Sequence, residues 1–591
     1  MTTRVPIRDL AIEWLQADRD EETRQEIESL LAANDEAELE KRVRKRIAFG
    51  TAGLRSRMAA GFAHMNALTV LQASQGLATY VLEQNALSSS VSGERLSIVV
   101  GYDARHNSEK FARLAAGAFV AKGIRVLWFG QLVHTPMVPF TVSRYKAAAG
   151  VMVTASHNPK ADNGYKVYFS NGCQIIPPHD TGIAKAIDQV KLIEHWDERT
   201  VDSSPLVQHI FPQATEAYFS GMYRLAPPPH AIQTASFIYT PMHGVGLPFM
   251  QRVANMLGFR GDCMRVVQAQ AQPDPEFPTV PFPNPEEKGA LDLAFEKADK
   301  HGCTIVVAND PDADRFAVAE KLESGRWHQF TGNQMGVLLA SFVFETYSHD
   351  KSRLAMLAST VSSRMLAAMA KKEGFIFKET LTGFKWLGNI AQDLQAQGYN
   401  AAYAYEEAIG YMFPTVVWDK DGIAAAAVFL SAWQGAQGWQ RQGLTPWQKL
   451  QELYKRYGYF EDANTYLISP SPDVTEQVFT AIRTSNGTGN RPETVGVRKM
   501  RRWRDLTVGY DTASADGEPD LPIDPTAQMI TCELEDVVFT ARGSGTEPKI
   551  KLYIEATASS SAEAKQRADE VLQDLLLEWF KPEYGLKLAG A

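Results

Sequence analysis

Three times in this chain an apolar run stops at a short polar loop. Ala147 to Val153 gives way to Thr154-Ala-Ser156-His157-Asn158, Thr304 to Ala308 gives way to Asn309-Asp310-Pro-Asp312-Ala-Asp314-Arg315, and Ala401 to Tyr405 gives way to Glu406-Glu-Ala408-Ile-Gly410-Tyr411. Apolar runs of this length bounded by polar residues read as buried strands. Strands buried on both faces belong to sheets covered by helices on either side, where sites form beyond the carboxyl ends of the strands. Ser156 is therefore placed where a nucleophile is useful, and Lys160 and Lys166 bracket its loop with positive charge. Read singly, the serine loop is a turn with local hydrogen bonds; the loops further along the chain lift it above that reading.

The intervening sequence supports an α/β layout. From Leu96 a strand to Tyr102 is followed by a helix over Ser108 to Lys122, a strand over Ile124 to Phe129, a helix over Pro136 to Tyr145 and the strand into Ser156. A strand over Lys166 to Ser170 is expected to turn on Asn171-Gly172 into Gln174 to Ile176, a hairpin that makes the sheet mixed. Pro227 to Pro229 reads as a linker, strand Phe237 to Thr240 opens a second unit, and Pro273 to Pro285 reads as an extended crossing loop. Strands near Leu354 to Ser359, Phe375 to Glu379 and Ala401 to Tyr405 form a third unit, and Tyr510 to Ala527 reads as a surface loop. Residues 8–47 carry apolar positions at helical spacing amid dense charge, as in solvated amphipathic helices.

With 591 residues, 45% hydrophobic and 22% charged, the chain has the composition of a globular protein of about four domains. Its net charge of -9 offers no global attraction to nucleic acid or anionic membrane, so basic residues that matter must act locally on an anionic ligand. Cys173, Cys263, Cys303 and Cys532 are far apart, which argues against zinc and against a disulfide framework and favours a reducing cytoplasm. No signal segment and no apolar run of ~18 residues is present, so neither secretion nor membrane insertion is expected.

Asp310, Asp312 and Asp314 alternate along one loop and offer three carboxylates to one point, the donor set that hard divalent cations prefer. A calcium loop fails as the alternative, because glycine and glutamate are wanted where Arg315 and Lys321 stand. Arg542-Gly-Ser544-Gly545-Thr546-Glu-Pro-Lys549 combines glycines, hydroxyls and cations, the ingredients of an anion nest.

The stretch from Thr154 through Ser156-His-Asn-Pro and Asp162-Asn-Gly-Tyr-Lys166 to Asp180 closely resembles the active-site serine loop of the α-D-phosphohexomutase superfamily, in particular its eukaryotic branch of phosphopentomutases and glucose-1,6-bisphosphate synthases. The resemblance implies three consecutive mixed-sheet α/β domains and a smaller C-terminal α+β domain around a central cleft. The expected boundaries are 1–48 for an N-terminal helical segment, 49–228 for a phosphoserine domain, 229–350 for a metal-binding domain, 351–458 for a sugar-binding domain and 459–591 for a phosphate-binding domain.

It further implies that Ser156 carries a phosphoryl group and that Ser156, Asp310, Asp312 and Asp314 hold Mg²⁺. Arg55, His157, Arg315, Thr382, Glu406 and Lys420 would then meet the phosphosugar, and Arg542, Ser544, Gly545 and Thr546 its non-reacting phosphate. Lys166 or Lys420 would serve as general base if crowded cations depress its pKa. His157 is too close in sequence to Ser156 for a triad-like base and is assigned to binding. The implied reaction interconverts pentose 1- and 5-phosphates, together with glucose 1- and 6-phosphates, through ribose 1,5-bisphosphate or glucose 1,6-bisphosphate as intermediate and activator. A glucose-1,6-bisphosphate synthase and a non-catalytic sugar-phosphate binder are the alternatives, and a cytoplasmic monomer is expected. One departure bears on the sugar: hexose-acting members usually carry Glu-x-Ser in the third loop, and here Glu406 is followed by Ala408.

Overall fold

The computed structural model describes residues 5–50, 53–87, 96–229, 231–485, 491–543 and 549–589. The chain divides into two units, Met1–Leu357 with Gly383–Pro446, and Ala358–Thr382 with Trp447–Ala591.

In the first unit, helices α1 (Ile7–Ala17), α2 (Glu21–Ala32) and α3 (Glu36–Val43) form where amphipathic helices are expected, with Asp20 and Asp35 capping α2 and α3. Their stripe of Ile7, Ala11, Trp14, Ile27, Leu39 and Val43 is buried against Leu68, Leu71, Leu114 and Ala118. The last four belong to α4 (Ala67–Leu87) and α5 (Ser108–Ala121), which also cover one face of a six-stranded sheet.

That sheet contains β1 (Leu54–Arg57), β2 (Ser97–Tyr102), β3 (Arg125–Trp128), β4 (Ala149–Val153), β5 (Asp162–Phe169) and β6 (Val207–His209) in the order β1-β5-β4-β2-β3-β6. Strands β2, β3, β4 and β6 run parallel, while β5 is antiparallel to both β4 and β1, so the sheet is mixed. Ile98, Val100 and Val151 point toward α4 and α5. On the other face lies α6 (Met137–Tyr145), which approaches so closely that a Cβ on Gly150 would stand 2.6 Å from Val142.

Strand β5 begins at Asp162 rather than Lys166, and its partners are β4 and β1 rather than Gln174 to Ile176. The Asn171-Gly172 turn forms, with Gly172 N–H on the Phe169 carbonyl, but it leads only to a single bridge, Tyr168 to Gln174. The reason is Pro177-Pro178 directly after Ile176, which removes two successive donors from any ladder.

A second sheet holds β7 (Phe237–Thr240), β8 (Met264–Val266), β9 (Ile305–Asn309), β10 (Phe316–Lys321) and β11 (Trp327–Gln329) in the order β11-β10-β9-β7-β8. Strands β9 and β10 are antiparallel and paired from Asn309↔Phe316 outward, so the acidic loop closes a hairpin as the serine loop does between β4 and β5. Further on come β12 (Leu354–Ser359), β13 (Ile376–Thr380), β14 (Asn400–Glu406) and β15 (Gly410–Met412), and the third polar loop closes the hairpin of β14 and β15.

In the second unit an antiparallel sheet is built around Lys549–Ala558, which pairs with Val537–Gly543, Thr465–Ile468 and Tyr459–Asp462. Helices Pro472–Arg483 and Ser561–Glu578 bury Val478, Phe479, Val571 and Leu575 with its apolar residues, an α+β arrangement. All four cysteines are free and buried, and no helix among the described residues is long and apolar enough to cross a membrane.

Candidate active site

Strand β4 delivers Ser156 after two residues of loop. Thr154 Oγ1 donates to Asp103 Oδ2 at 2.7 Å and accepts from the Ser156 N–H at 2.9 Å. Ser156 is buried and left-handed, with φ of 54°. Such a backbone costs a serine about 1–3 kcal/mol and persists where its surroundings over-determine it. Its hydroxyl points across to the second sheet and donates to Asp310 Oδ2 at 2.6 Å, with His157 Nδ1 at 3.2 Å. Burial, then Arg315 and Arg55, hold the His157 pKa well below its usual value, so this ring is neutral near pH 7.

The acidic hairpin loop is shaped from inside. Asn309 Nδ2 donates to the Arg315 carbonyl at 2.6 Å, and Ala313, left-handed at φ of 50°, donates its N–H to the Asp310 carbonyl at 2.9 Å. Asp310, Asp312 and Asp314 are fully buried, with ligand oxygens within 4.8 Å of one another. Burial and the two neighbouring carboxylates push the Asp310 pKa well up. Burial acts in the same direction on Asp312, but Lys166 and the hydroxyl of Thr135 outweigh it and hold that carboxyl well below its ordinary value.

Lys166 Nζ lies 2.8 Å from both Asp312 Oδ2 and Asp314 Oδ2, Lys420 Nζ lies 3.0 Å from Asp314 Oδ2, and Thr135 Oγ1 donates to Asp312 at 2.6 Å. Even so, Asp312 Oδ1 and Asp314 Oδ1 are buried without a hydrogen-bond partner. Buried acceptors left over in a tight carboxylate group are what a hard cation with oxygen ligands requires, so these residues fit a divalent metal.

Cations surround the group. The Arg315 N–H donates to Asp310 Oδ1 at 3.0 Å and its Nη1 to the Ala408 carbonyl at 3.1 Å, which joins the second loop to the third. Arg55 projects from β1, paired to Gly164 of β5, and its side chain is exposed. Burial of Lys420 works against its charge, but Asp314 and Asp419 outweigh it and raise the pKa. The depression that a general base would need is therefore reversed at Lys420, because Asp314 and Asp419 outweigh the neighbouring Arg315.

In the third loop, Glu406 Oε1 accepts from the Gly383 N–H at 2.6 Å, which fixes it beside the start of helix Phe384–Ala396. Thr382 closes the segment Ala358–Thr382 of the second unit, and Arg542 lies in that unit's strand Val537–Gly543. Ser544, Gly545 and Thr546 lie outside the described residues. The first unit thus brings together Ser156, His157, Lys166, the three aspartates, Arg315 and Lys420.

Residues with no motif of their own support these. Asp103 and Arg105 hold the serine loop from behind, and Thr135 orients Asp312. Their signal was available in one case: Asp103-Ala-Arg105 directly follows the buried strand to Tyr102, the same strand-then-polar-loop pattern as the other sites.

Models of the phosphoglucomutase/phosphomannomutase family match the chain in four pieces: α/β/α domain I over residues 46–194, domain II over 216–324, domain III over 331–457 and the C-terminal domain over 522–573. The phosphoribomutase of Saccharomyces cerevisiae is 45% identical over 96% of this chain and 96% of its own length. The phosphopentomutase of Homo sapiens is 41% identical over 97% and 95%, and the glucose 1,6-bisphosphate synthase of Homo sapiens 38% identical over 97% and 93%. Among solved structures, the open form of parafusin, a phosphoglucomutase of Paramecium, is similar in fold with a TM-score of 0.63 at 18% identity, over 90% of this chain and 96% of that one.

Proposed function

Because this chain belongs to the phosphoglucomutase/phosphomannomutase family, and within the α-D-phosphohexomutase superfamily to its phosphopentomutase branch, we propose that it interconverts the 1- and 5-phosphates of ribose or deoxyribose through a phosphoserine at Ser156. It is a phosphosugar mutase, an isomerase. The observation that carries the serine assignment is the 2.6 Å contact of Ser156 Oγ with Asp310 inside a buried three-aspartate group.

In this reading the bond between phosphorus and Ser156 Oγ breaks as a bond to the sugar's free hydroxyl oxygen forms, which gives a sugar bisphosphate. The bisphosphate reverses in the site, and its other phosphoryl group returns to Ser156, leaving the isomerised monophosphate. Asp310, Asp312 and Asp314, with a phosphoserine oxygen, would hold Mg²⁺, which when bound supplies charge neutralisation to in-line transfer. Lys420, held as a cation by Asp314 and Asp419, and Arg315 stabilise developing negative charge. The hydroxyl proton needs an acceptor, and we assign that role to Lys166, which enters the group from mid-β5 and can take a proton only once its Nζ, here donating to Asp312 and Asp314, has given one up. Arg55, His157, Thr382 and Glu406 are assigned to the sugar phosphate, and Arg542 with residues 544–546 to the phosphate that does not react. We assign the protein as a monomer of a reducing cytoplasm, a compartment that four free cysteines suit.

The sugar preference rests on Ala408. Its carbonyl is taken by Arg315 and its methyl has no polar atom to offer a hexose hydroxyl. Leaving a hydroxyl unpaired in a closed site costs ~1–3 kcal/mol, about tenfold or more in specificity.

Assays in parallel with ribose 1-phosphate, glucose 1-phosphate, and glucose 1-phosphate plus an acyl-phosphate donor, each with and without Mg²⁺, test the proposal. We expect the highest kcat/KM with ribose 1-phosphate and no turnover without Mg²⁺. Net bisphosphate release from the acyl phosphate faster than isomerisation would instead make the chain a synthase, and equal or better use of glucose 1-phosphate would end the pentose preference.

A further inference from the structure

Arg105 has no part in the chemistry above, yet its buried guanidinium donates to four backbone carbonyls of the serine loop: Ser156 at 2.6 Å, Asn158 at 2.5 Å, Pro159 at 3.0 Å and Asp162 at 3.2 Å. One cation thereby closes the whole connection between β4 and β5. A planar fork of five donors can do this, whereas a lysine ammonium cannot reach so many acceptors at once.

The charge is answered from behind by Asp103, whose Oδ2 lies 3.5 Å from Arg105 Nε and also accepts from Thr154 Oγ1, while its Oδ1 accepts from Ser108 Oγ. Thr154 in turn accepts the Ser156 N–H. From the front, the ring of Phe277 lies 5.1 Å from the guanidinium carbon. Beside it, Glu276 pairs with Lys160 Nζ at 2.6 Å and His106 Nε2 at 2.5 Å. The proline-rich crossing over 273–285 is thus a clamp on the serine loop, reaching from the second sheet's domain to the first's.

We propose that Arg105, capped by Phe277, is the positioning residue that holds Ser156 in its left-handed conformation, and that phosphoryl transfer depends on it through the backbone alone. The inference rests on the mutase reading. A serine released from this grip relaxes toward negative φ, which swings its hydroxyl away from Asp310. A displacement of ~1 Å at a reacting group can cost about 10²-fold in rate.

The test is Arg105→Lys, which keeps the charge and loses the fork. We expect kcat to fall at least about tenfold with KM within about twofold. Amide hydrogen exchange should accelerate over residues 155–163, and methylguanidine should partly restore the turnover of Arg105→Ala. Phe277→Leu should move kcat and exchange the same way by a smaller factor. Wild-type kcat in Arg105→Lys, or a loss confined to KM with exchange unchanged, would overturn the proposal. If Arg105→Lys does not fold, Phe277→Leu decides, and unchanged kcat and exchange there reject it. Exchange needs no turnover, so it judges Arg105 separately from the mutase reading, which the wild-type assay judges.

Discussion

At the scale of residues, the aspartates are not equivalent. Asp312 takes Lys166 and Thr135 and is held ionised, whereas Asp310 takes the Ser156 hydroxyl and is pushed toward protonation by burial and its neighbours. Asp312→Asn should therefore remove an anionic ligand and one of the two carboxylate partners of Lys166, lowering kcat by about 10²-fold or more. Calorimetry should show Mg²⁺ affinity lost with circular dichroism unchanged, and retained affinity would contradict the assignment. Ala408→Ser should restore a donor for a hexose hydroxyl and narrow the ribose-to-glucose ratio of kcat/KM by about tenfold; an unchanged ratio would place the preference elsewhere. Ser156 and the aspartates were legible in the sequence because a serine bracketed by lysines and three alternating carboxylates each follow directly on a buried strand. Thr135 was not legible, and of Arg105 only its place after a buried strand was, since the carboxylate and carbonyls they act on are brought near only by folding. The condition set for Lys420 as a base, a depressed pKa, is not met for the same reason: the nearness of Asp314, the larger of the two carboxylate influences, has no signature in spacing.

At the scale of elements, three hairpins hold the candidate site, and the one that carries the three aspartates leaves no room around it. A Cβ on Gly422 would stand 2.2 Å from the Arg315 carbonyl oxygen and 2.6 Å from Asn309 Nδ2, where Gly422 N–H already meets the Ala313 carbonyl. Gly422→Ala should cost about 1–3 kcal/mol by overpacking and displace Arg315, lowering both Tm and kcat; a neutral substitution would mean the acidic loop is free to shift. In the second unit, Arg504 grips both oxygens of Glu379, on β13, at 2.9 and 3.0 Å. Burial opposes ionisation of Glu379, but the Arg504 hydrogen bonds and charge outweigh it and lower the pKa to about 2. The folded pKa lies below the unfolded one, so this stabilisation is present above about pH 4.5 and is lost as pH falls toward 2. Glu379→Gln should destabilise the second unit by about 3 kcal/mol at neutral pH and flatten that acid limb in urea titrations; an unaltered acid limb would assign it to other groups. Strand ends were legible from apolar runs, but the start of β5 was not. Asp162-Asn-Gly164 has the composition of a turn, and it is pairing with β1, a partner distant in sequence, together with Asn163 donating to the His106 carbonyl and Ser108 Oγ, that secures it as strand.

At the scale of the whole molecule, the alternation of strands and helices announced α/β units, and the family resemblance implied the C-terminal α+β part; the fold contains both. The clamp over 273–285 was hidden because its contacts join segments more than a hundred residues apart. The account as a whole turns on one covalent event at Ser156. Incubating the protein with a sugar bisphosphate and locating the phosphoryl group by peptide mass spectrometry tests it directly. We predict phosphate on Ser156 alone, chased off as bisphosphate by added ribose 5-phosphate, with Ser156→Ala neither labelled nor active although folded. Phosphate on another residue, or substantial turnover by Ser156→Ala, would contradict it.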